Sequence, residues 1–174
     1  MPDRGQFWSA VPDWSQAGLH TAGIDIGLVG VASVCLVSGD ARQFLARHGV
    51  GEILGPRQPG NGDTYALRLA PDRMLFVGDA SAIAASAGIT NACAVTDVSD
   101  GIVIFDILGD RAADLMAQGS EYPFDDTTIY PHESASMQFA GLRVIVSHRE
   151  RGWRLHAERP WAPALWRWLQ AHIE

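Results

Sequence analysis

Lysine is missing altogether: all thirteen basic residues of the 174-residue chain are arginine. That absence removes Schiff-base nucleophiles, phosphate-loop lysines and tunable lysine bases, and several reaction classes with them. Cysteine is scarce, with only Cys35 and Cys93, each inside an apolar run. Neither a disulfide framework nor a structural zinc site is expected from two such residues, which read as buried free thiols. Long hydrophobic runs are lacking too. The most apolar stretch, Ile24 to Val37, contains Asp25 and is shorter than the ~20 residues a membrane helix needs, so it reads as core. Met1 to Trp14 is polar and carries no secretory pattern, and a cytoplasmic protein is expected. Net positive charge is also absent: 20 acidic against 13 basic side chains leave a formal charge of −7. Such a balance argues against a sequence-independent grip on nucleic acid or anionic lipid, which needs clustered cations.

What remains is a chain that is 47% hydrophobic, enough at this length to hold one ordinary core or two small ones. Ile24 to Val37, rich in valine and isoleucine, predicts a buried strand closing on a short helix, Ala41 to His48, with Phe44, Leu45 and His48 on one face. Glycines and prolines between Val50 and Asp63 predict an irregular loop. Tyr65 to Leu69 and Met74 to Val77 flank a Pro71-Asp72 turn and read as a hairpin, followed by a weak helix over Ala80 to Ala87. In the second half, Ala94 to Val98 and Ile102 to Leu108 flank Ser99-Asp100-Gly101, a hairpin signal. A helix over Arg111 to Gln118 follows, then a loop from Glu121 to Ser136. Strands at Leu142 to His148 and Trp153 to Glu158 come next, and a final helix from Trp161 to Ile173 with Trp161, Leu165, Trp168, Leu169 and His172 on its apolar stripe.

The two halves resemble each other. Gly39, Asp40, Leu45 and Gly49 match Gly109, Asp110, Leu115 and Gly119 at one constant offset, and each set follows an apolar strand. The order of elements predicts a duplicated α+β protein. Each half is ferredoxin-like, of βαββαβ type with antiparallel sheets, the first over residues 1–90 and the second over 91–174.

Few residues point to chemistry. Gly23, Gly27 and Gly30 lack the dinucleotide-loop spacing and precede a strand, so close sheet packing or a bulge explains them better. The six histidines show no metal-ligand spacing, and His148 and His156, which bracket the last hairpin, are expected at the surface. No Gly-x-Ser-x-Gly elbow is present. Carboxylates crowd the segment from Asp97 to Asp126, where Asp100 suits a turn, Asp110 a helix start and Asp114 an exposed helix face. Asp97 and Asp106 lie inside strands, and Asp97 is the candidate ligand-binding acid. From Arg143 onward the sign reverses, with six arginines against three acids. Trp166 falls off the expected stripe of the last helix beside Arg167, a pairing enriched at interfaces, so both are candidate partner contacts.

The segment Ala94-Val-Thr-Asp-Val-Ser-Asp-Gly, with Ile102 to Leu108 and Gly-Asp-Arg-Ala-Ala-Asp-Leu-Met-Ala-Gln-Gly after it, resembles the gamma subunit of heterotetrameric sarcosine oxidase. It resembles the folate-binding aminomethyltransferase (T-protein) of the glycine cleavage system more distantly. Leu67-Arg-Leu-Ala-Pro-Asp-Arg-Met-Leu-Phe-Val-Gly is similar to the family's hairpin. Gly152-Trp-Arg-Leu, Arg159-Pro-Trp-Ala and Leu165-Trp-Arg-Trp-Leu are similar to its closing strand and helix. Two stretches depart from it: Gln118-Gly119-Ser120, where members commonly have Lys-Gly-Cys, and Glu133-Ser-Ala-Ser-Met-Gln-Phe. The resemblance implies a shortened T-protein-like fold and a non-catalytic small subunit of a flavin- and folate-dependent amine oxidase or demethylase. It places no cofactor in this chain: FAD, FMN, NAD and tetrahydrofolate would sit on larger flavoprotein subunits. The alternative is a free-standing folate-binding one-carbon transferase or an oxidoreductase accessory protein, with Asp97 holding the folate.

Overall fold

Ile24 and Ile26 are buried while Asp25 between them is exposed, the period-two pattern of a half-buried strand. They lie in β2 (Ile24–Leu28), which forms a hairpin with β1 (Gly18–Thr21) through a two-residue turn. The computed structural model describes residues 14, 17–30, 33–60, 62–79, 88–89, 92–125, 128 and 132–173. After the hairpin come β3 (Ser33–Gly39), α1 (Arg42–Arg47), β4 (Ile53–Leu54), β5 (Tyr65–Ala70), β6 (Arg73–Gly78), β7 (Gly88–Ile89) and β8 (Cys93–Asp97). A 3-10 turn at Ser99–Gly101 leads to β9 (Ile102–Leu108), α2 (Ala112–Gly119), β10 (Ser136–Phe139), β11 (Leu142–Arg149) and β12 (Gly152–Glu158). A second 3-10 turn, Arg159–Trp161, opens α3 (Ala162–His172).

The strands form two six-stranded sheets, ordered β1-β2-β9-β12-β11-β10 and β4-β5-β6-β3-β8-β7. All pairs are antiparallel except β4 with β5. Dropping the edge strands leaves β5-β6-β3-β8 and β11-β12-β9-β2, the same ferredoxin-like order twice. The α+β duplication expected from the sequence is therefore present, with one exchange: the last core strand of the second unit, β2, comes from the N-terminal end of the chain. Gly18–Leu28 precedes the expected division at residue 90 yet is hydrogen-bonded into the sheet built from residues beyond it.

Two sequence readings are corrected by this exchange. Ile24 to Val37 is not one strand, because β2 belongs to one sheet and β3 to the other. Nor do Ala94 to Val98 and Ile102 to Leu108 form a hairpin: β8 pairs with β3 and β7, β9 with β2 and β12. At both connections the chain passes between sheets. At the first, Val29 N–H donates to the Ile104 carbonyl (2.9 Å), and at the second, Val98 N–H donates to the Val34 carbonyl (2.9 Å). The expected helix over Ala80 to Ala87 lies outside the described residues.

Gly39 and Gly109 show why the repeat motif holds its place. Both end the first core strand of a unit at left-handed φ, +104° and +115°. A Cβ there would meet a carbonyl oxygen, at 2.6 Å from Ala92 and 2.3 Å from Gly23 respectively. The Gly39 N–H donates to the Asp72 carbonyl and the Gly109 N–H to the Arg151 carbonyl, each acceptor lying just before the neighbouring strand. Only glycine accepts both constraints.

Three clusters of buried residues make four layers. α2 and α3 cover the outer face of the first sheet through Leu115, Met116, Leu165, Trp166 and Leu169, packed on Phe105, Ile107 and Leu155. α1 covers the outer face of the second through Phe44 and Leu45, on Cys35, Val37 and Phe76. Between the sheets, Val34, Leu67, Leu75 and Val77 face Ile104, Ala135 and Ile145.

Candidate functional site

β12 carries Arg154 and His156 on its inner face, two residues apart and therefore on the same side of the sheet, and β9 brings Asp106 beside Arg154. Across the interface, β5 supplies Tyr65. Arg154 is 7% exposed and grips Asp106 with both prongs, Nε to Oδ1 at 2.6 Å and Nη2 to Oδ2 at 2.8 Å. Its Nη1 donates to the Tyr65 hydroxyl at 3.4 Å. That hydroxyl lies 2.8 Å from His156 Nε2, and His156 Nδ1 lies 3.0 Å from the Ile145 carbonyl. A carbonyl only accepts, so Nδ1 carries the proton of the neutral ring and Nε2 accepts from Tyr65.

Burial is the main cause of the depressed pKa of His156, about 4, with Arg154 and Arg149 lowering it further, and it also raises that of Tyr65. For Arg154 burial opposes the charge, but the bonds to Asp106 and Tyr65 outweigh it and hold the guanidinium protonated. Arg149 lies over the Tyr65 ring (5.3 Å) and donates to the carbonyls of Gly60 (2.6 Å) and Gly62 (3.0 Å), fastening the loop before β5 to the other sheet. With both nitrogens of His156 engaged and the ring 1% exposed, this constellation joins sheets rather than offering a base to a substrate.

Beside His156 the sheets part into an open groove of about 580 Å³. Leu36, Leu69, Leu75, Val98, Ile102 and Ile145 make it mainly apolar, and Arg73, Arg143 and Glu158 stand in its lining. Its size lies within the range of small-molecule clefts and of grooves that take a few side chains.

Asp97 is not among the groove residues. It falls on the same side of β8 as Cys93 and Val95, which pack under α1, whereas Leu36 of the neighbouring strand faces the groove. Its Oδ1 accepts from the Ser99 N–H (2.9 Å) and hydroxyl, which closes the turn into β9 and lowers the carboxyl pKa. Burial pushes the Cys35 thiol up to about 11, with Asp97 across the strand pair adding to the shift. Both cysteines are free and buried, as the sequence predicts.

Trp166 requires a correction. It is 4% exposed, stacked on Phe105 (5.7 Å) and edge-on to Trp14 (6.2 Å), so it is core and presents no surface to a partner. The buried stripe of the helix runs through Ala162, Leu165, Trp166 and Leu169. Trp161, placed on the stripe by sequence, precedes the helix and is 53% exposed. Arg167 is exposed on α3. His156 is likewise buried rather than superficial, and His148 packs at a tilt against Trp153 (4.7 Å) on the opposite face of the sheet, so the two do not meet. The Tyr65–Arg154 network had only one faint mark in the sequence, an acid, Asp106, inside an apolar strand.

No family model and no curated protein matches the sequence. Among solved structures, a chain of the heterotetrameric sarcosine oxidase from Corynebacterium sp. U-96, determined in complex with pyrrole 2-carboxylate, superposes with a TM-score of 0.63 at 17% identity. The match covers 86% of this chain and 83% of that one. The likeness read from the motifs therefore holds at the level of the fold: this chain is built like a chain of heterotetrameric sarcosine oxidase.

Proposed function

We propose that the chain is a non-catalytic small subunit, equivalent to gamma, of a sarcosine oxidase-like amine oxidase or demethylase. The shared fold over most of both chains carries this reading. In the complex, larger flavoprotein subunits hold FAD, FMN, NAD and tetrahydrofolate, and this chain contributes surface. The assembly is cytoplasmic; among the described residues, no helix is long and apolar enough to cross a membrane. Co-expression with the proteins encoded beside it tests the reading: yellow flavoprotein subunits should purify with the chain in fixed stoichiometry, and their absence would refute it.

The groove favours one alternative, a free-standing folate-binding one-carbon transferase or oxidoreductase accessory protein. Asp97 is then a poor anchor, since it faces away from the groove. Calorimetry with tetrahydrofolate separates the two readings. Tight binding by the isolated chain supports the alternative, and equal heats from Asp97→Asn and the native chain remove Asp97 from it.

A further inference from the structure

The groove between the sheets is apolar along its floor and cationic at its mouth. Arg73 reaches it from the start of β6 and Arg143 from β11, so one guanidinium comes from each sheet. Both residues are exposed, and neither guanidinium makes an ion pair or hydrogen bond among the described residues. Glu158 is the one carboxylate in the lining. Two unpaired cations against one acid stand out in a chain whose formal charge is −7.

The apolar surface also continues past the groove. Pro160 lines it, and the next residue, Trp161, stands 53% exposed, the one large exposed hydrophobic side chain among the described residues. Surface of this kind, an aromatic beside an apolar cleft with arginines at the edge, is the composition of protein interfaces.

We propose that this groove docks a segment of a partner chain in which leucine-like side chains alternate with carboxylates. The proposal rests on the reading of the chain as a subunit and names the chemistry of the partner at that contact. The apolar side chains enter between Leu75 and Ile145, the carboxylates meet Arg73 and Arg143, and the segment continues over Trp161. Charge complementarity selects this occupant. A symmetric contact with a second copy would set the arginine rim near its own image, and a small anion would leave Trp161 uncovered.

The probe is an acetylated, amidated peptide alternating glutamate and leucine, titrated into the 15N-labelled chain, with a lysine–leucine peptide as control. The glutamate peptide should shift the amides of Val98, Ile102 and Ile145, and the lysine peptide should not. Exchanging both rim charges, Arg73→Glu with Arg143→Glu, should weaken binding about tenfold with an unchanged melting temperature, and added salt should act in the same direction. Equal affinity in the charge-exchanged protein overturns the proposal. Displacement of the peptide by tetrahydrofolate at far lower concentration also overturns it and assigns the groove to a small molecule. A concentration-dependent dimer that hides the same amides assigns it to a second copy.

Co-purification separates this proposal from the reading beneath it. If the native chain brings flavoprotein subunits and the charge-exchanged chain brings them equally, the groove is not the contact and the subunit reading stands. If the native chain brings none, the subunit reading fails, and the peptide titration alone decides the chemistry of the groove.

Discussion

His156 is the residue whose environment most changes its chemistry. Its folded pKa, about 4, lies below the unfolded value of 6.5, so between these limits the unfolded chain binds the proton that the folded chain refuses. Stability from the neutral ring is thus full above about pH 6.5 and is lost as pH falls toward 4, by roughly 3 kcal/mol. Arg154 and Arg149 oppose the incoming charge and Asp106 favours it, so the network shapes the loss as a unit. Urea melts at stepped pH should show this decline, and His156→Gln should flatten it; an equal decline in both proteins would remove His156 as its source. Trp166 offers a second test. Truncation to alanine removes a ring stacked on Phe105 and should cost about 3–5 kcal/mol, while Trp161→Ala, which empties no core space, should stay within about 0.5 kcal/mol. Thermal denaturation of the pair decides it, and reversed costs would contradict the burial described above.

At the scale of elements, the strand-to-helix corner is the repeated part. Gly39 and Gly109 occupy equivalent corners, where an alanine would be strained by its φ and would press on a carbonyl from the neighbouring strand. Each substitution should cost more than ~1–3 kcal/mol, because strain and displacement of a backbone neighbour add. Gly101→Ala makes a fair control, since nothing lies within 4 Å of its added Cβ and its φ is not left-handed. Equilibrium unfolding of the three variants should place the corner substitutions together and well below the control. The repeats differ in their outer parts. α1 is followed by Gly49 at φ +71°, whereas Gly119 closes α2 with the Phe139 ring so close that any Cβ would displace it. Alternation and turn residues made β5, β6, β11 and β12 legible in the sequence. The two-residue strands β4 and β7 are too short to carry a period, and β1 and β10 are edge strands of four residues with mixed burial.

For the whole molecule, the exchange of β2 ties the two ends of the chain into one sheet. β9 needs β2 on one side and β12 on the other, so a fragment of residues 98–174 lacks a neighbour along one edge of its central strand and leaves the Ile26 position of the core empty. Such a fragment should not unfold cooperatively. The full chain should melt in a single transition, with tryptophan fluorescence, which reports Trp153 of the first sheet and Trp166 of the helix packed on it, coincident with far-ultraviolet circular dichroism. Separate midpoints would show that the Tyr65–Arg154 bridge does not couple the sheets. Local pattern by itself determined the α+β class, the duplication, the two central hairpins, the three helices α1, α2 and α3 and the buried thiols, because alternation, turn chemistry and glycine corners act within a few residues. Only the tertiary structure decided where the strands go. An apolar run reads the same whether it stays in one sheet or crosses to the next, so neither the division of Ile24 to Val37 nor the parting of β8 from β9 is written locally. The same holds for Trp166 and His156, whose burial depends on Trp14 and Tyr65 arriving from distant strands and segments. The groove, lined from seven strands and the turns beside them, exists only once both sheets are assembled.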